Sequence, residues 1–239
     1  MDRPRADLAA VVVGATGAVG SALVRELLAS PAFTRVTALT RRPFDGFSQA
    51  SSREKLRVEV IDLADLEQVA ARLAAGFTTA FCTLGVGQPR KVAPAEVWKI
   101  DVEYAGAFAR GARAAGVAHI SLLSSVGADV ASRARYLHVK GAAEAAVVGA
   151  GIARTSLFRP SLLVTRELRY GLQDRITQAV YPRISWALPS RFHEIRVEDL
   201  GAAMRVNAER PGAAGTEILQ YAEVVSLLES RRLDGVHPR

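Results

Sequence analysis

Tyr136 and Lys140 lie four residues apart, and a Ser124-Ser125 pair precedes Tyr136 by eleven to twelve residues. On a helix, this spacing places a phenol and an ammonium on one face, where both can contact one ligand. The pKa of a free tyrosine is about 10, and a nearby cation lowers it by favouring the phenolate. Such a pair can transfer a proton near neutral pH, while an upstream hydroxyl hydrogen-bonds a substrate carbonyl. Tyr-x-x-x-Lys is a short pattern that chance supplies often, so its weight depends on the elements around it.

A glycine-rich turn follows the first apolar run. Residues 8–13 contain three consecutive valines, typical of a buried parallel strand, and residues 21–29 have a helical pattern. Between strand and helix, the first glycine permits a tight turn, the second lets backbone approach a pyrophosphate, and the third allows close packing. The helix N-terminus favours the anionic phosphates. The alternative is a glycine-rich turn without a ligand. The turn reads Gly14-Ala15-Thr16-Gly17-Ala18-Val19-Gly20, a GxxGxxG spacing.

Two arginines follow the second predicted strand, residues 36–40. NAD-binding sites place an acidic residue here to bind the ribose 2′-hydroxyl, whereas arginine suits a 2′-phosphate. Arg41 and Arg42 are adjacent, and no acid lies between Thr37 and Phe44. We therefore predict NADP(H) as the cofactor. The alternative is a solvated basic turn.

Alternating strand and helix patterns continue along the chain. They predict an α/β fold with a doubly wound parallel sheet, Rossmann-like, and a small C-terminal substrate-side region. We expect a single domain over residues 1–239, with residues 165–200 on the substrate side. The later strands are predicted at residues 56–61, 79–84, 119–123 and 155–158, and the intervening helices at residues 65–75, 94–115 and 136–149.

Ligands of such sheets bind beyond the carboxyl ends of the strands. Gly14, Arg41, Asp62, Gly85 and Ser125 all fall at these ends. Asp62 is placed to hydrogen-bond an adenine amino group, and Gly85 lets backbone pass close to the cofactor. The pattern predicts one site.

The ordered motifs resemble the short-chain dehydrogenase/reductase superfamily and, more narrowly, its atypical Tat-interacting oxidoreductase group. The similarity spans roughly residues 8–210. Two positions depart from the group's pattern: Ser161 replaces a glycine after Arg159-Pro160, and residues 86–91 differ from the usual loop. The motifs that carry the resemblance are Gly14 to Gly20, Thr40-Arg41-Arg42-Pro43, Cys82-Thr83-Leu84-Gly85, Asp101 with Tyr104, Leu122-Leu123-Ser124-Ser125 with Gly127-Ala128-Asp129, Tyr136-Leu137 with Val139-Lys140-Gly141, and Phe158-Arg159-Pro160.

The resemblance implies an NADP(H)-dependent oxidoreductase in which Tyr136 donates or accepts the proton. Lys140 would lower the pKa of Tyr136 and bind the nicotinamide ribose. Alignment with the Ser-Ser turn of the superfamily favours Ser125 as the catalytic serine, with Ser124 as the alternative. Besides Tyr136 and Lys140, the expected cofactor-binding residues are Gly14, Ala15, Thr16, Gly17, Ala18, Val19, Gly20, Arg41, Arg42, Asp62, Leu63, Leu84, Gly85, Leu163 and Arg169.

Composition limits the classes of partner. The formal net charge of +7 suits an anionic ligand, but the arginines are scattered and no nucleic-acid motif is present. Cys82 is the single cysteine, which fits a reducing compartment, and the first ten residues lack the apolar region of a signal peptide. No stretch approaches the ~20 apolar residues of a membrane helix. We expect a cytoplasmic protein with a small-molecule carbonyl substrate and no nucleic acid, membrane or metal, with a homo-oligomer or a protein partner left open.

The sequence is compatible with three functions. The first is an NADPH-dependent carbonyl reductase. The second is an NADP-sensing regulatory or scaffold protein with little turnover, which would not need the Ser, Tyr and Lys set. The third is a nucleotide-sugar epimerase or dehydratase, which uses similar Tyr/Lys chemistry but normally retains NAD. Arg41 and Arg42 and the short C-terminal region favour the first over the third.

Overall fold

The computed structural model describes residues 7–47, 53–164 and 193–234. Seven parallel strands form one sheet in the order β3-β2-β1-β4-β5-β6-β9, and β7 pairs with β8 in a separate short ladder. The strands are β1 (Leu8–Val13), β2 (Phe33–Thr40), β3 (Leu56–Val60), β4 (Thr79–Cys82), β5 (His119–Leu123), β6 (Arg154–Phe158), β7 (Leu163–Val164), β8 (Ile195–Arg196) and β9 (Gly215–Leu219). The helices are α1 (Ala18–Ala29), α2 (Leu66–Leu73), α3 (Pro94–Trp98), α4 (Tyr104–Ala114), α5 (Arg135–Val148), α6 (Val197–Glu209) and α7 (Tyr221–Asp234).

The central strand β1 is buried on both faces. Because successive side chains of a strand point to opposite sides, Ala10 and Val12 join one apolar core, and Val11 and Val13 join another. The first core includes residues of α1, α6 and α7, and the second includes residues of α2, α4 and α5. This two-sided burial explains why β1 is a continuous apolar run without polar alternation.

The chain reverses its direction of travel across the sheet at β1. It proceeds from β1 to β2 and β3 on one side, and then crosses to β4 on the other side. The resulting crevice lies between the carboxyl ends of β1 and β4, where doubly wound sheets bind their ligands. Gly14 follows β1 and Thr83 follows β4 at this crevice.

The helix predicted at residues 94–115 is not uniformly α-helical. Between α3 and α4, residues Lys99–Glu103 form a π-helical turn. A π turn carries one residue more than an α turn and occurs frequently at functional sites. Here the turn buries Asp101 and Val102.

Several other boundaries differ from the predictions. β2 begins at Phe33, three residues early, and β4 ends at Cys82, two residues early. A 3-10 turn at Leu63–Asp65 precedes α2. The Asp62 side chain caps this turn by accepting a hydrogen bond from the Ala64 amide. The strands β7, β8 and β9 and the helix α7 were not predicted. Residues 165–192 of the proposed substrate side lie outside the described residues, and the single-domain assignment stays a prediction.

In the three described segments, no helix has both the length and the apolar character needed to cross a bilayer.

Candidate active site

The glycine turn after β1 is packed against the end of β4. Gly14 has a φ of +83°, and a Cβ there would lie 2.6 Å from the Thr83 carbonyl carbon. A Cβ at Gly20 would collide with the Gly14 carbonyl oxygen and lie 2.6 Å from Thr83 Oγ1. The Gly17 amide donates to the Gly14 carbonyl at 3.0 Å, which closes the turn. Gly14 and Gly20 therefore exclude a side chain, Gly14 at the turn and Gly20 where α1 meets the sheet.

An elongated cleft runs along the carboxyl ends of the strands. It consists of three cavities with shared walls, of about 840, 630 and 750 Å³. The first cavity contains Tyr136 and Lys140, the second contains the glycine turn and Arg42, and the third contains Asp62. The predicted proton-transfer residues and the predicted phosphate-binding residues therefore lie in one continuous cleft.

The helix α5 carries Tyr136 and Lys140 on the wall of the 840 Å³ cavity. Tyr136 is 44% exposed, whereas Lys140 is only 7% exposed. The Lys140 ammonium lies 5.9 Å from the centroid of the Tyr136 ring. It also donates a hydrogen bond to Asp101 Oδ1 at 2.6 Å, and Asp101 Oδ2 accepts from the Val86 amide at 3.0 Å. The lysine is therefore fixed beneath an accessible phenol.

Burial and charge act in opposite directions on Lys140. Burial lowers the pKa of the ammonium, but attraction to Asp101 and, to a smaller extent, to Tyr136 outweighs it and raises the pKa above its ordinary value. Lys140 therefore stays charged at neutral pH. Burial raises the pKa of the nearby Cys82 thiol to about 12, so this thiol is uncharged and unsuited to nucleophilic chemistry.

The serine pair after β5 has two different environments. Ser124 lines the 840 Å³ cavity, and its hydroxyl donates to Glu144 Oε1 at 2.5 Å. Arg159 holds the same carboxylate through two hydrogen bonds, from Nε at 2.8 Å and Nη2 at 2.5 Å. Ser125 is buried behind the wall, and its hydroxyl has a contact of 3.4 Å with the Val126 carbonyl oxygen. The proton of Ser124 is thus directed away from the cavity.

Most predicted site residues lie in the cleft. Ala15, Gly20 and Ser125 are buried and do not line any of the three cavities, and Arg169 lies outside the described residues. Arg41 lies where two cavities meet. The predicted residues that line the cleft are Gly14, Thr16, Gly17, Ala18, Val19, Arg41, Arg42, Asp62, Leu63, Leu84, Gly85, Ser124, Tyr136, Lys140 and Leu163.

The structure adds residues that the motifs alone did not assign. Asp101 is one of the motif residues that carry the resemblance, but the sequence assigns it no role. In the structure it is the counter-charge of Lys140. The motifs assign no role to Glu144, although it continues the four-residue series of Tyr136 and Lys140 along one face of α5. Within the described part of the chain, no group of three or more His, Cys, Asp or Glu side chains is placed to hold a metal ion.

Comparison with known proteins identifies the family. A family model described as NAD(P)H-binding matches residues 14–185. The chain belongs to this NAD(P)H-binding family. Among similar proteins is Protein HTATIP2 of Rattus norvegicus, 30% identical over 218 residues, a match that covers 90% of this chain and 87% of that protein. Another is the mitochondrial Protein FMP52 of Candida albicans, 30% identical over 193 residues, with 80% and 83% covered. The predicted similarity to the Tat-interacting group is confirmed.

A solved structure confirms the predicted fold class. MoeE5 in complex with UDP-glucuronic acid and NAD matches with a TM-score of 0.67 at 22% identity, over 96% of this chain and 83% of that chain. The doubly wound, Rossmann-like parallel sheet is therefore shared with a protein that binds a nicotinamide dinucleotide. At this identity the likeness concerns the fold alone.

The cleft residues fit a nicotinamide dinucleotide. Gly14 and Gly17 have no side chain, so a phosphate can approach the backbone of the turn at both positions. Arg41 and Arg42 are exposed at the end of β2, and neither side chain has a hydrogen-bond or ionic partner in the described ranges. Arg41 is therefore available to an anionic group bound in the cleft.

Proposed function

We propose that this protein is an NADPH-dependent oxidoreductase of the short-chain dehydrogenase/reductase type that reduces a carbonyl compound. The observation that carries the proposal is the accessible phenol of Tyr136 above the buried Lys140–Asp101 pair, in the same cleft as the glycine turn. A sensor without turnover has no need of a proton donor supported in this way. Membership of the NAD(P)H-binding family supports the cofactor class.

Each residue has a defined task in this proposal. NADPH, when bound, would supply the hydride for the carbonyl carbon. Tyr136 donates its phenolic proton to the carbonyl oxygen, which gives the alcohol, and regains a proton from solvent at its exposed edge. Lys140 stabilises the phenolate left on Tyr136. The sequence assigns Ser125 to orient the carbonyl oxygen, and Ser124, the serine that lines the cavity, is the alternative.

The reaction is tested by incubating the purified protein with NADPH and a panel of aldehydes and ketones. We expect loss of NADPH with at least one carbonyl compound and formation of the corresponding alcohol. Failure of NADPH to bind would overturn the proposal. Tight binding without turnover, together with recovery of a specific protein partner, would identify the sensor instead. NAD recovered from the native protein would favour the epimerase or dehydratase.

Arg41 and Arg42 are proposed to select NADPH over NADH by binding the 2′-phosphate. We expect the Arg41→Ala/Arg42→Ala variant to lose about 10- to 100-fold in NADPH affinity, since charged hydrogen bonds contribute about 1.5–3 kcal/mol. NADH affinity should change little. Titration of both cofactors by nicotinamide fluorescence measures this selectivity. Arg72→Ala, an exposed arginine on α2, is the control. An equal loss for both cofactors would contradict the assignment.

The cellular location is proposed from sequence. The cytoplasmic assignment rests on the single cysteine, although the FMP52 relative is named mitochondrial. Fractionation of source cells against compartment markers tests it, and co-fractionation with a mitochondrial marker would overturn it.

A further inference from the structure

Two arginines share the cavity wall with Tyr136. Arg90 belongs to the short turn Pro89–Lys91 after β4, and Arg135 is the first residue of α5. Both are exposed, and both line the 840 Å³ cavity. Neither guanidinium has a hydrogen-bond or ionic partner within the described segments. By contrast, Arg154 and Arg159 are each paired with a glutamate.

The positive charge of this cavity is not balanced by its own walls. Among the described residues that line it there is no aspartate or glutamate. Lys140 adds little to the excess, because Asp101 neutralises it at 2.6 Å. The two guanidiniums therefore remain as uncompensated charges beside the proton donor.

The position of Arg135 is unfavourable for the helix that carries it. The positive end of a helix dipole favours acidic side chains, yet the first turn of α5 contains none. Its N-cap is Ala134, which supplies no side-chain acceptor to the first amide groups. Ala134 and Arg135 both line the cavity. The free amide groups and the arginine thus attract an anion at the same place.

The remainder of the wall is mainly apolar. Val97, Leu123, Val139, Leu162 and Val197 contribute to it. We propose that the cavity binds a carbonyl substrate with an apolar body and an anionic group, a carboxylate or a phosphate, which Arg90 and Arg135 hold while the carbonyl lies at Tyr136. The reaction part of this inference rests on the proposed function, but the anion site does not.

The first experiment compares two substrates with the same aromatic framework, para-carboxybenzaldehyde, which is an anion at neutral pH, and its neutral methyl ester, with saturating NADPH. We expect kcat/KM to favour the acid, and Arg90→Met and Arg135→Met each to reduce the acid-to-ester ratio by about tenfold. High salt should reduce the ratio of the unaltered protein, because these charges are exposed. Arg113→Met on α4 removes the same charge away from the cavity and should keep the ratio. A ratio unaffected by either cavity substitution would overturn the inference.

The second experiment measures binding without turnover. Calorimetry on the NADP⁺-saturated protein should show benzoate binding and little benzamide binding, with benzoate affinity reduced by both cavity substitutions. If benzoate binds in this way but no carbonyl is reduced, the anion site stands and the proposed reaction fails. If carbonyls are reduced without preference and benzoate does not bind, the anion site fails alone. Weakened NADPH binding in Arg90→Met, with no change in benzoate binding, would instead assign Arg90 to the cofactor phosphates and overturn its role here.

Discussion

Replacement of Tyr136 by phenylalanine should lower carbonyl turnover by about 10²- to 10⁴-fold, the usual contribution of a positioned proton donor. The substitution removes only the phenolic oxygen. The ring can keep its place 5.9 Å from the Lys140 ammonium, so NADPH binding should remain. Steady-state kcat with a turned-over carbonyl, and a fluorescence titration with NADPH, separate the two effects.

A matched tyrosine provides the control for this result. Tyr221 lies on α7, where its ring contacts His193 at a centroid distance of 4.9 Å, and it does not line the cleft cavities. Tyr221→Phe should therefore keep full turnover. If Tyr136→Phe retained turnover as well, another group would have to donate the proton and the assigned mechanism would be wrong.

The second large effect concerns stability. Asp101 and Lys140 are 4% and 7% exposed, so each charge depends on the other for compensation. Asp101→Asn keeps the shape of the side chain but leaves the ammonium buried without a counter-charge. Breaking a buried pair in this way costs about 3–5 kcal/mol, and we expect Tm to fall by roughly 6–20 °C. Urea unfolding and thermal scans measure the change.

Removing both charges separates the structural role of the pair from its chemical role. In Asp101→Asn/Lys140→Met no unpaired charge remains, so the free energy of unfolding should recover to within about 1–2 kcal/mol of the unaltered protein. Turnover should stay low, because the cation proposed to stabilise the Tyr136 phenolate is absent. Additive destabilisation in the double variant would show that the two side chains act independently, contrary to the hydrogen bond between them.

The elements that depend on local pattern were predictable. The strand at His119–Leu123 was predicted with its observed bounds, and the glycine turn of Gly14 to Gly20 lies where strand meets helix. These signals are local, because a buried strand needs a continuous apolar run and a close turn needs glycine. The same reasoning placed Tyr136 and Lys140 on one helix face.

The contacts that complete the site were not predictable by such means. Asp101 and Lys140 are 39 residues apart in the chain. Glu144 accepts a hydrogen bond from Ser124, which lies 20 residues before it. No periodicity reports which distant charges meet, because that depends on how the helices pack on the sheet. The π turn is likewise invisible in an alanine-rich sequence that suits an ordinary α-helix throughout.

The π turn at Lys99–Glu103 determines which side chains of one helical run face each end of the cleft. Glu96 and Ile100 line the cavities at the Arg41 end of the cleft, while Asp101 meets Lys140 at the other end. Because the π turn contains one extra residue, a single helical run places side chains at both ends of the cleft. Because a π turn contains one residue more than an α turn, winding the same residues as an α-helix would rotate α3 by about 100° relative to α4. A change of winding, without any change of residue type, would thus separate the two halves of the site.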